Sequence, residues 1–472
     1  AQIFMDAYAM MCPGDPEAAA HFARVAASVS HDGLALEAAG YLAAMEALAF
    51  DESDLNTLLD RGQRHVSSDY LKTVIDDVRN ICERTHDWHD ARAEIDKLYG
   101  YSKFSGPCHI IPNHAMVLAS LIKGGNDFHR SVCIAATAAW DTDCNAGNVG
   151  CLNGIRLGLD AINSRADFRG PVADRMLVVT ADGSECVTDA VREARKIIVA
   201  AAALQGRPAD VSDKKFSFEF KGSVQGFTRC PHIVSDCRSL EVSNLNVRAK
   251  GENGLLVSFE GLADEASANI STPVFLDYEQ AESGYETVAS PLLYGTQTVN
   301  AVINGLDDEN PRVRLYVVYY NQANARQVSY SETFSIQRGP NDLSWNIPDT
   351  RGVPIVRLGL EFTSPPRTVS RIAVTTIDWS GAPDRFEQRG MLAQDIWTLS
   401  PYAARQFLSS AKHFATSVNH TYTVSHPDEN GVATVGTRDF TGFSITADLV
   451  FSLHRSGGLV RRSKGHRRYY AL

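Results

Sequence analysis

Trp140-Asp141-Thr142-Asp143-Cys144-Asn145 separates two apolar runs with helical spacing, residues 131–139 before it and 146–162 after it. Two carboxylates flanking one small hydroxyl residue at a helix mouth form a cluster of hard oxygen donors. Magnesium prefers such donors, whereas zinc would ask for His and Cys. A helix start needs one capping oxygen, and two adjacent carboxylates repel each other. A bound cation would relieve that repulsion. The alternative reading is an ordinary cap at Thr142 or Asp143, with the second aspartate favoured by the helix dipole.

Outward from this turn, the first part of the chain reads as helices. Asp15-Pro16-Glu17 combines an acidic cap, a proline at the first helical position and a glutamate in the first turn. Helical spacing of small and apolar residues follows over 18–30, 34–50, 70–84, 90–98, 115–122 and 187–204. The pattern predicts an all-α orthogonal helical domain over residues 1–206. Near Arg207-Pro208 the texture changes, and Phe216, Phe218 and Phe220 alternate with polar residues as in a half-buried strand. Residues 255–259, 313–320, 355–362 and 372–377 repeat that texture between turn signals such as Asn253-Gly254 and Gly339-Pro340. An antiparallel β-sandwich or jelly roll is expected over 214–384. A second, incomplete β module is expected over 385–472, with strands at 422–424 and 443–451.

The apolar share of 44% and charged share of 21% are those of a soluble globular multidomain chain of 472 residues. No run of about 18 apolar residues exists, so no membrane partner is expected. Net charge of −11 argues against a nucleic-acid partner. The basic run at 461–468 is read as solvated strand faces and edge protection. Nine cysteines without metal-type spacing read as reduced thiols and lean the compartment towards the cytoplasm. Cys230 and Cys237 are spaced so that they could pair. The sequence does not fix the oligomeric state.

The segments Ile111-Pro112-Asn113, Gly124-Gly125-Asn126-Asp127-Phe128 and Asp141-Thr142-Asp143-Cys144-Asn145 together resemble the C-terminal metal motif of the ADP-ribosylglycohydrolase family. Ala27-Ser28-Val29-Ser30-His31-Asp32-Gly33 is similar to the family's Ser/Thr-His segment. The resemblance covers roughly residues 1–204. It implies metal-dependent hydrolysis of a glycosidic bond, releasing ADP-ribose or a related sugar, at a dinuclear Mg2+ centre. Asp141 and Asp143 would be catalytic residues and metal ligands, and His31, Asn113 and Asn145 would bind substrate. The residue itself allows a plainer role in two of these cases: His31 and Asp32 as helix-end caps, and Asn113 as the N-cap of the helix at 115.

Three departures shape the expectation. Cys144 stands where the family usually has a threonine ligand, and a thiol is a poor magnesium ligand. The family's other ligand segment, Thr-Asp-Asp, lies N-terminal to everything present, and no Thr-Asp-Asp occurs in the chain. Half of the metal site is therefore expected to be missing, with weak magnesium binding and no activity in this fragment. Gln2-Ile3-Phe4-Met5-Asp6 puts a carboxylate where a diphosphate would be expected, so a neutral glycoside or nucleoside competes with ADP-ribose as substrate. The stretch 443–451 resembles the concanavalin-like or laminin-G-like sandwiches of carbohydrate-binding proteins. A non-catalytic glycan-binding protein with a degenerate hydrolase domain is the alternative, with Trp345, Trp379 and Trp397 as candidate sugar-stacking residues; core packing is the other role open to them, and the favoured one for Trp379 at a strand end.

Overall fold

A computed structural model describes residues 1–472 except 107, 179, 247–252, 262–265, 282–287, 309, 322–324, 390–401, 418–420, 429, 452–453 and 466. Two compact units emerge: Ala1–Pro171 with Ala194–Val211, and Val172–Glu193 with Ser212–Leu472.

The first unit is helical. Its elements are α1 (Asp6–Met10), α2 (Pro16–Ala27), α3 (Leu34–Leu48), α4 (Leu55–Gln63), α5 (Asp69–Arg84), α6 (Trp88–Tyr99), α7 (Ile110–Gly124), α8 (Phe128–Thr137) and α9 (Thr142–Ile162). Side-chain caps start many of them: Asp15 accepts from the Ala18 N–H, Asp54 from Thr57, Ser68 from Leu71, Asp87 from His89 and Asp127 from Arg130. Asp54 therefore caps a helix rather than standing as free surface charge. Ala38, Ala39, Gly40, Ala43, Ala44 and Ala47 make α3 narrow enough to be buried over most of its length. Met5, Ala9, Ala19, Ala23, Ala39 and Ala43 form one apolar cluster, and Leu42, Met45, Leu71, Ile75, Leu118, Val149 and Leu152 belong to another. Near its end α9 breaks at Gly158, with φ 77° and ψ 178°.

In the sequence, α10 (Ala190–Leu204) follows a small antiparallel pair, β1 (Arg175–Leu177) with β2 (Val187–Asp189). The helix expected from residue 187 thus begins three residues later. Val187, Thr188 and Asp189 are used by the pair, and the Asp189 carboxylate accepts the Arg192 N–H at 3.0 Å as a cap.

The second unit is built on two antiparallel sheets. One runs β10-β8-β12-β6-β3, with β9 also on β8, and the other β11-β7-β13-β5-β4. The strands are β3 (Thr228–Arg229), β4 (Cys237–Asn246), β5 (Asn253–Gly261), β6 (Ser267–Pro273), β7 (Thr298–Gly305), β8 (Arg312–Tyr320), β9 (Arg326–Tyr330), β10 (Phe334–Ser335), β11 (Gly339–Asn346), β12 (Ile355–Thr363) and β13 (Val369–Asp378). Phe259 of β5 stacks on Phe362 of β12 with centroids 5.6 Å apart, so the inner faces of the two sheets meet directly. The helical region followed by an antiparallel sandwich is the fold class read from the sequence.

Gly359 of β12 pairs in register with Tyr316 of β8, and a Cβ at that glycine would overlap the Tyr316 ring. The ring is fully buried, with its hydroxyl donating to the Ile270 carbonyl at 2.9 Å. Gly359→Ala is expected to cost about 2–3 kcal/mol through overpacking, measurable as a lower urea midpoint with an unchanged slope.

Several strand expectations fail for local reasons. Phe216 makes one isolated bridge to Ile377 instead of joining a ladder. Phe218 turns left-handed at φ 52°, and the Gln225 side chain takes the Ser217 and Phe218 N–H groups that a neighbouring strand would have accepted. Residues 443–451 form no strand; Phe443, Ile445, Leu449 and Phe451 stay about half exposed and unladdered. Trp345 and Trp379 are core residues, only 6% and 1% exposed, and the Trp379 indole donates to the Leu292 carbonyl at 2.9 Å. Neither can stack on a sugar. Trp397 lies outside the described residues. All nine cysteines are free, Cys230 and Cys237 included. Among the described residues no helix is long and apolar enough to cross a membrane.

Candidate functional site

The turn from α8 into α9 is held in an uncommon backbone conformation. Ala139, Trp140 and Asp141 are consecutive left-handed residues at φ 62°, 62° and 63°, and none of them is glycine. Each such residue costs on the order of 1 kcal/mol, so the surroundings must over-determine the turn. They do so from several directions. The Asn145 amide donates to the Trp140 carbonyl at 2.8 Å, and the Asn145 N–H donates to the Asp141 carbonyl at 3.1 Å. Arg92 of α6 donates to the Ala138 carbonyl at 2.8 Å and lays its guanidinium 3.5 Å from the centre of the Trp140 ring. Tyr101 stacks on Trp140 with centroids 5.5 Å apart.

This turn aims Asp141 away from the helix it precedes. Asp141 occupies the N-cap position of α9, yet no side-chain oxygen caps that helix. Simple capping by Thr142 or Asp143 is thus not what the motif does. One Asp141 oxygen instead accepts from the Asn113 amide at 2.8 Å. Asn113 accepts from the Tyr101 hydroxyl at 3.1 Å, and that hydroxyl accepts the Cys108 N–H at 3.1 Å. Asn113 lies inside α7, which begins at Ile110 and is capped by the His109 ring accepting from the Ile111 N–H at 3.2 Å. The N-cap reading of Asn113 is corrected: it is buried and engaged with Asp141.

Asp141, Asp143 and Cys144 each offer one ligand atom, all within 4.8 Å of one another. Asp143 is exposed, while Asp141 and Cys144 are half-buried. Asn145 is fully buried, with its side-chain oxygen unmatched by any donor. Burial, then the neighbouring Asp141 and Asp143, pushes the Cys144 thiol up to about 12. Burial and the same aspartates also raise the Cys108 thiol. A neutral thiol facing two carboxylates acts as a weak donor, not as an anionic ligand. In the metal-free protein, alkylation of Cys144 by iodoacetamide is therefore expected to keep accelerating well above pH 9. A plateau near pH 9, read by mass spectrometry of the 144-containing peptide, would contradict this.

His31 sits on the exposed segment between α2 and α3. Its Nε2 lies 3.1 Å from the Ala1 nitrogen and its Nδ1 2.9 Å from the Ser30 hydroxyl. Burial and the adjacent amine lower its pKa, against a smaller opposing pull from Asp32. Neither His31 nor Asp32 is a cap, since α2 ends on Ser28 and α3 starts on Gly33. Asp6 is engaged elsewhere, accepting from the Asn148 amide at 2.7 Å.

The donor set fits a hard divalent cation through Asp141 and Asp143. Cys144 does not fit such an ion. Sequence reasoning missed Tyr101, Cys108 and Arg92, which reach the turn from another helix and loop and carry no local motif.

Residues 1–202 match the family model of the ADP-ribosylglycohydrolases. That family is generally metal-dependent. No curated protein matches the chain. Among solved structures, a carbohydrate-binding module of the β-sandwich superfamily is 17% identical, with 37% of this chain and 64% of that chain covered at a TM-score of 0.27. A xylan-binding domain from Paenibacillus barcinonensis is 12% identical over 34% of this chain and 90% of its own, with a TM-score of 0.24. A family 11 carbohydrate-binding module of a Clostridium thermocellum cellulase is 13% identical over 38% and 100%, with a TM-score of 0.23. Residues 1–202 are thus similar to the ADP-ribosylglycohydrolase family, and a region of two antiparallel sheets follows them.

Proposed function

We propose that the helical unit contributes ligands to a metal-dependent centre for hydrolysis of a glycosidic bond, with ADP-ribose or a related sugar as the released group. The observation that carries this is the left-handed 139–141 turn, which withdraws Asp141 from helix capping and sets it beside Asp143. Asp141 and Asp143 would hold the cation. A bound magnesium supplies Lewis acidity and lowers the pKa of water. The chain's own residues do the rest. Asn113 fixes the Asp141 carboxylate through a direct hydrogen bond. A carboxylate of the pair takes the proton of the attacking water as the anomeric carbon gains positive charge. His31, held by Ser30, contacts the sugar.

Calorimetric titration with magnesium tests the ligand assignment. The chain alone is expected to bind weakly or not at all; tight binding would show that ligands other than a Thr-Asp-Asp segment complete the centre. Cys144→Thr, which exchanges a neutral thiol for a hard oxygen, is expected to strengthen magnesium binding by about tenfold. Equal or weaker binding would remove residue 144 from the ligand set.

A second reading concerns the β unit. A groove of about 390 Å³ is lined by Asn310, Arg312, Ser335, Thr363 and Ser364 with Pro365 and Pro366. Its polar groups match sugar hydroxyls, and it contains no aromatic platform. Glycan binding there is tested by calorimetry with xylan-type and mixed-linkage oligosaccharides against an Arg312→Ala control.

A further inference from the structure

A second group of ligand-type side chains lies farther along α9. Asp6 of α1, Glu46 of α3 and Cys151 of α9 each offer one atom, all within 4.8 Å of one another. Cys144, Asn148 and Cys151 are spaced four and three residues apart, so they share one face of α9. This group lies about 10 Å along the helix from the Asp141 cluster. Glu46 is wholly buried, and neither of its carboxylate oxygens meets a donor. Asn148 is 1% exposed, and its amide nitrogen donates to Asp6 at 2.7 Å and to the Gln2 carbonyl at 3.2 Å. That leaves the Asn148 side-chain oxygen buried without a donor beside the same group. Asp6 and Cys151 are half-buried, so Glu46 forms the floor of a site that they rim.

One shared proton between Asp6 and Glu46 would satisfy a single Glu46 oxygen. The other oxygen and that of Asn148 would stay unmatched, and no basic side chain is among the groups that influence either carboxylate. A cation between Asp6, Glu46 and Cys151 would answer the buried Glu46 carboxylate. Two carboxylates and a thiolate are a ligand set for a borderline-soft ion, and three protein ligands leave a position for water or for the Asn148 oxygen.

We propose that Asp6, Glu46 and Cys151 form a separate binding site for a zinc-class divalent cation, tying α1 and α3 to α9 behind the Asp141 cluster. Ligand atoms around zinc lie roughly 3.5 Å apart, so the half-buried Asp6 and Cys151 side chains close in slightly on binding. The Cys151 thiol proton and the proton held between the carboxylates leave to solvent as the metal–sulfur and metal–oxygen bonds form. The site stands independently of any activity at Asp141.

Cobalt(II) titration of the metal-free chain tests it, because a cobalt–thiolate bond gives a near-ultraviolet charge-transfer band. We expect one equivalent of cobalt to produce the band in the wild-type chain, in Cys144→Ser and in Asp141→Asn. The band should vanish in Cys151→Ser and need at least ~100-fold more cobalt in Glu46→Gln. Zinc should raise the Tm of the wild type but not of Cys151→Ser. Cys151→Ala carries the same expectation if the serine variant fails to fold. No band in the wild type, or a band lost in Cys144→Ser and kept in Cys151→Ser, would overturn the proposal.

Discussion

Asp141→Asn is expected to lower metal-dependent release of ADP-ribose or a related sugar by at least about 10³-fold, assayed together with the family's Thr-Asp-Asp segment. The substitution removes one charge and little else. Its amide carbonyl can still accept from Asn113, and asparagine tolerates the left-handed φ of 63° at this position. Stability should therefore fall by no more than about 1 kcal/mol. Asp141→Ala should lose activity equally and stability more, about 2–4 kcal/mol, because Asn113 loses its acceptor and alanine tolerates the turn poorly. Full activity in Asp141→Asn would remove the metal assignment. A large loss of stability in that variant would mean that the carboxylate serves the fold.

Arg156→Ala is expected to destabilise the helical unit by about 3–5 kcal/mol, seen as a lower urea midpoint. Arg156 is buried on α9 and makes five hydrogen bonds: to the Ser53 carbonyl, the Asn126 side chain, the Gly125 carbonyl and twice to Asn153. Truncation would strand these acceptors in the interior. Burial lowers the guanidinium's pKa, partly opposed by Asp54, and the five hydrogen bonds offset the cost of burying its charge. Arg156→Lys should recover little of the loss, since a single ammonium cannot span the fork. A cost below 1 kcal/mol would show that water replaces the lost bonds.

Helices and sheets were legible where one periodicity persisted. The cap and proline of 15–17 marked α2, and α5 and α6 lie within two residues of their expected bounds. The strands at 255–259, 313–320 and 355–362 were marked by their apolar texture and bordering turns. Reading failed where a distant side chain intervened. Gln225 removed the 216–220 segment from its ladder by accepting two of its N–H groups. Half-exposed 443–451 has the right alternation but no strand partner among the described residues.

The same division holds at the site. Sequence alone determined that two carboxylates and a cysteine stand at the mouth of α9, because adjacency in the chain ensures adjacency in space. It could not determine where the carboxylates point. That depends on three left-handed residues held by Arg92, Asn145 and Tyr101, and on a bond from Asn113, which is 28 positions from Asp141. Nor could it bring Asp6, Glu46 and Cys151 together, since they lie on three helices with no motif in common. Local chemistry follows from order along the chain. Burial and long-range hydrogen bonding are decided only when helices pack and water leaves the space between them.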